Sequence, residues 1–192
     1  MQPHKPTPIS EMITPTPAGI VITRAILPDK KSEQEKSVMM RFIAAMRLNH
    51  NRIIENLEQL PEKDNDFEGF EDGWKIKFEL AEINLNKIKN KPRNSKAFVV
   101  QRYSNFLLQF NKADFDGLPS EVINKKIYKY NRSNAYKLIL IVWSVDYLLW
   151  EGDEALASLR RDLSTKNPQP FDEIWFYNVM LLGEELKPLK II

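Results

Sequence analysis

Leu138 to Trp150 is a run of thirteen residues, apolar on nearly every side, whose single charge is Asp146. A segment without a polar face cannot lie on a surface, so it belongs at the centre of the fold or half inside a partner. It is too short for a membrane-spanning helix, which takes about 20 residues. Tyr136, Leu140, Trp143, Tyr147 and Trp150 make one stripe, and Ile139, Val142 and Leu149 a second. This spacing predicts a buried helix opening at Ser133. An unpaired carboxylate there would cost several kcal/mol, so Asp146 is expected to pair with Arg41, Arg47, Arg52 or Arg102.

The rest of the chain is read around that element. Pro3, Pro6, Pro8, Pro15 and Pro17 mark residues 1–19 as an extended arm. The β-branched stretch from Gly19 to Leu27 is the one short β element, with Trp74-Lys75-Ile76-Lys77-Phe78 as its possible mate. Ser32 and Glu35 have the spacing of a capping box, and Met39, Phe42, Ile43, Met46, Ile53, Leu57 and Leu60 follow at helical spacing up to Pro61. Acids crowd 62–72, predicting a polar loop. Further helices are expected over about 74–90, from Ser95 to a turn at Asp116-Gly117-Leu118-Pro119, over 120–130, near 153–163 and over 171–186. The fold class expected is mainly α: a bundle of about six helices in a single domain, 20–192, with a proline-rich arm.

Chemistry is sparse. With no cysteine, disulfides, thiolate metal sites and a cysteine nucleophile are excluded, and an intracellular, cytoplasmic setting fits. The N-terminus has no apolar core of the kind a secretory signal needs. No Gly-x-Gly-x-x-Gly, phosphate loop or Gly-x-Ser-x-Gly elbow occurs. Asn131-Arg132-Ser133 matches the glycosylation acceptor by chance. Of the two histidines, His4 lies in the arm and His50 beside the stripe of the first helix, as a hydrogen-bonded core or boundary residue. Glu55 and Glu58, and Glu79 and Glu82, lack the histidines that helical di-metal sites need, so they read as solvated helix faces. Asp153-Glu154 and Asp172-Glu173 suit helix N-termini. No enzyme activity, metal or cofactor is expected.

What stands out functionally is charge. From Ile83 to Val145 twelve Lys and Arg residues face three acids, a local net of +9 in a chain of net +2. Lys87, Lys89, Lys91, Arg93, Lys96 and Arg102 form one basic run; Lys125, Lys126, Lys129 and Arg132 form another at helical spacing. Such clustering favours a polyanion. Aromatics interleave with these cations, and a ring exposed among them would give bases something to stack on; most sit at helical spacing and read as core, Tyr128 being the least well placed for it. The expectation is a binding protein that contacts nucleic-acid backbone through these ten residues without sequence readout, alone or as a subunit of a larger complex. The alternative is an adaptor working through acidic protein surfaces or self-assembly, with no nucleic acid.

Overall fold

The computed structural model describes residues 9–17, 19–61, 64–83, 112–132, 134–144, 170–179 and 187–192, together with Ala157, Arg160, Arg161 and Leu163. It overturns the helical bundle. Among the described residues two helices and eight strands can be delimited, six of the strands in one mixed sheet. Strands β1 (Ile9–Thr16) and β2 (Gly19–Ile26) form a separate antiparallel hairpin. The expected arm therefore supplies a strand, and Gly19–Ile26 pairs with it rather than with 74–78.

Helix α1 (Lys31–His50) is shorter than its apolar spacing suggests. Asn51 takes the left-handed conformation, φ 52°, and its N–H bonds back to Met46 O, a termination that asparagine tolerates better than most residues. The Ser32 cap does not form: Lys30 is the capping residue, without a side-chain bond, and Glu35 instead pairs with Lys31 at 2.9 Å. Ile53 and Leu57 thus lie outside the helix, Leu57 within β3 (Glu55–Gln59).

From Phe67 to Glu71 the acidic stretch, expected as a loop, is sheet. Strands β4 (Phe67–Glu71) and β5 (Trp74–Glu82) are joined by Asp72-Gly73, both at positive φ (51° and 78°). A two-residue Asp-Gly turn matches the twist of an antiparallel hairpin. The expected helix at 74–90 is β5 as far as Glu82, and its remainder lies outside the described residues. So does most of the helix expected from Ser95, but α2 (Lys112–Ile127) runs straight through Asp116-Gly117-Leu118-Pro119, where a turn was predicted.

The apolar run opening at Leu138 is a strand, not a helix. β6 (Lys137–Ser144) lies parallel to β5 on one side and to β7 (Glu173–Asn178) on the other. β8 (Leu189–Lys190) pairs antiparallel with β7, giving the order β3-β4-β5-β6-β7-β8. Ile139, Ile141 and Trp143 pack towards α1 with Phe42, Met46, Phe78, Trp175 and Tyr177. Leu138, Leu140 and Val142 pack on the opposite side with Ile123 of α2, Ile174 and Phe176. A central parallel strand is covered on both faces and so reads as unbroken hydrophobicity. Asp146 lies outside the described residues, and the 171–186 helix is replaced by β7. Ala157, Arg160, Arg161 and Leu163, within the helix expected near 153–163, are helical.

Candidate functional site

Three groups of charged side chains are built on this frame. The first lies where the parallel strands begin. Arg52, just past α1, donates to both oxygens of Glu71 and, at 2.7 Å, to Glu173. Lys137 also reaches Glu173 at 2.7 Å, and the Trp175 indole N–H donates to it at 2.7 Å. Burial alone would raise the Glu173 carboxyl, but the bonds from Lys137, Arg52 and Trp175 prevail and bring it down to about 2. Asp172-Glu173 therefore opens a strand, not a helix. His50 stands beside this network, donating to Pro188 O at 3.0 Å with its ring edge-on to Trp175. Every carboxylate here is matched by a cation, which describes a clamp between α1, the hairpin and β7.

The second group gathers about Glu79 of β5. The β4–β5 ladder closes at Phe67↔Phe78, one residue short of Asp66. Asp66 accepts the Leu80 N–H at 2.7 Å. Burial, then the charges of Glu79 and Glu35, push its carboxyl up to about 6 against the Leu80 bond and Lys126. Glu79 is 2% exposed; its Oε1 takes the Lys126 ammonium, Lys129 stands 3.9 Å away, and Oε2 has no hydrogen-bond partner. Burial, then a hydrogen bond to Glu79, push the Tyr130 phenol up. The first turn of α1 faces this corner as well: Lys31 is raised by Glu35 first, and also by Asp66 and Glu79. Glu79 is thus a buried strand residue rather than part of a solvated helix face.

The third group holds the basic residues expected from sequence. Lys87, Lys89, Lys91, Arg93, Lys96 and Arg102 lie outside the described residues. The other four cluster at the end of α2 and just beyond, each with an acidic neighbour. Lys125 pairs with Glu121 at 2.6 Å along the helix, Lys126 with Glu79, and Arg132 with Asp172 at 3.5 Å, while Lys129 donates to the Tyr130 hydroxyl at 2.9 Å. Lys125, Lys129 and Arg132 remain largely exposed. Exposed pairs of this kind are worth about 0–1 kcal/mol, so a phosphate can exchange for the carboxylate. Lys126 differs, being largely buried against Glu79. Between these cations the Tyr128 ring is 86% exposed.

Among the described residues no three His, Cys, Asp or Glu side chains converge as a metal cluster, and no helix is long and apolar enough to cross a membrane. No family model matches this chain, and neither a curated protein nor a solved structure matches it.

Proposed function

We propose that this chain binds nucleic acid through its backbone, at a surface centred on the end of α2, with Lys125, Lys129 and Arg132 meeting phosphates and Tyr128 stacking on an unpaired base. The observation that carries the reading is Tyr128: a large aromatic ring, 86% exposed, flanked in sequence by three largely exposed cations. Stacking on an aromatic contributes about 1–3 kcal/mol per base and tolerates any sequence. Cations beside it supply the salt-dependent part of the affinity. The basic run from Lys87 to Arg102 joins this reading on charge alone, since it falls in the same β5-to-β6 connection as α2.

Fluorescence anisotropy with a labelled single-stranded oligonucleotide tests it. Affinity should fall steeply as salt rises, and Tyr128→Ala should weaken single-strand binding while sparing duplex binding. Lys125→Glu with Lys129→Glu should weaken both. Absent binding, or binding indifferent to salt, rejects the proposal.

A further inference from the structure

We propose that the nucleic-acid surface does not end at α2 but runs on across the exposed part of the β4–β5 face on the same side of the sheet, with Phe70 as a second stacking ring and Lys75 as its phosphate contact. The ligand is then a single strand several nucleotides long, laid along β5. This inference rests on the nucleic-acid reading and extends its footprint. Alternate residues of a strand share a face. Glu79 faces α2 through Lys126, so Lys77 and Lys75 lie on that face too, whereas Ile76, Phe78 and Leu80 turn to the core beneath α1. Phe70 stands directly opposite Lys75 in the ladder and so shares the face.

Along this face cations and rings come in pairs. At the end of α2 the Lys129 ammonium lies 4.8 Å from the centre of the Tyr130 ring and 3.9 Å from Glu79. Two residues along β5, the Lys77 ammonium lies 5.0 Å from the centre of the Tyr136 ring. Two further on, Lys75 stands opposite Phe70. Four residues of strand span about 14 Å, room for several bases stacked at about 3.4 Å each. Single-strand sites combine these parts: cations that follow the phosphates, and rings on which successive bases stack. The inner parts are fixed, Lys77 being held by Asp64 at 3.0 Å and largely buried, and Tyr130 and Tyr136 packed against the core beneath α2. The outer parts are open: Phe70 is 36% exposed, and the Lys75 side chain is 40% exposed while it pairs with Glu68 at 2.9 Å. An exposed ring beside an exposed lysine is what a base and its phosphate require.

Anisotropy of the whole chain with labelled oligothymidylates of about 4 and about 12 nucleotides tests the track. Wild type should bind the longer more tightly than its extra binding registers alone account for. Phe70→Ala should weaken the longer by about fivefold or more and leave the shorter unchanged. Lys75→Gln should lower the salt slope for the longer by about one, again sparing the shorter. An advantage of the longer no greater than those registers supply overturns the track and leaves the α2 site standing. So does the absence of any effect of Phe70→Ala and Lys75→Gln where Tyr128→Ala still weakens binding. Binding of neither length by wild type rejects the nucleic-acid reading and the track with it. If circular dichroism shows that Phe70→Ala does not fold, Lys75→Gln decides alone.

Discussion

Two carboxyls on this sheet pull stability in opposite directions with pH. Glu173 titrates near 2 in the folded chain against an ordinary 4.5. Its contribution is complete above 4.5 and is lost as pH falls from there towards 2, because the unfolded chain then binds the extra proton. Asp66 titrates near 6 against 3.8. Here the folded chain holds the extra proton between those values, so stability drops as pH rises through that window and the penalty is constant above it. Asp66→Asn should therefore match wild type below about pH 4 and gain on it progressively up to about pH 6. Urea midpoints measured across that range check this. A constant offset at every pH would place the Asp66 penalty elsewhere. Neither environment was legible in the sequence, where Asp66 belongs to an acidic stretch that reads as a polar loop and Glu173 to a pair that reads as opening a helix.

At the scale of elements, the same apolar letters served two periodicities. From Leu138 to Val142 every residue is apolar, and such a run fits a fully buried strand as well as a buried helix. The β-branched Ile139, Ile141 and Val142 favoured the strand. What settled it is that both faces are covered, by α1 and by α2, which no local pattern records. Two boundary signals were readable and outweighed by spacing: Asn51 ends α1, and Asp72-Gly73 turns β4 into β5. The amphipathic core of α1 was read correctly, with Met39, Phe42 and Met46 buried as its spacing requires. Phe42 stands edge-on to both Trp175 and Tyr177, at 6.3 and 5.6 Å. Phe42→Ala should destabilise the fold by about 3–5 kcal/mol, whereas Met40→Ala on the exposed side should change it by under about 0.5 kcal/mol. Chemical denaturation of the pair separates a helix packed on the sheet from one merely adjacent to it.

Across the whole molecule the charge map acquires a different meaning once folded. The basic centre and acidic flanks are far apart in sequence but meet in space, Lys126 with Glu79 and Arg132 with Asp172. Part of the segregation is therefore internal compensation. The lysines at the end of α2 divide accordingly: Lys125 pairs only with the exposed Glu121, but Lys126→Glu sets a second acid against a buried one. That substitution should cost several kcal/mol and lower the melting temperature, while Lys125→Glu leaves it nearly unchanged and acts on binding. Equal melting temperatures for the two variants would mean that Glu79 is not buried against Lys126.

By itself the sequence determined which segments had to be buried, where α1 starts its apolar stripe, and that cations gather between Ile83 and Val145. These are properties of composition and short-range spacing. Only the tertiary structure decided that the buried segments are strands, that α1 and α2 cover opposite faces of one sheet, and that Lys126 meets Glu79. The reason is physical: strand pairing and the sharing of a carboxylate join residues distant along the chain, and their free energy depends on the partner as much as on the residue.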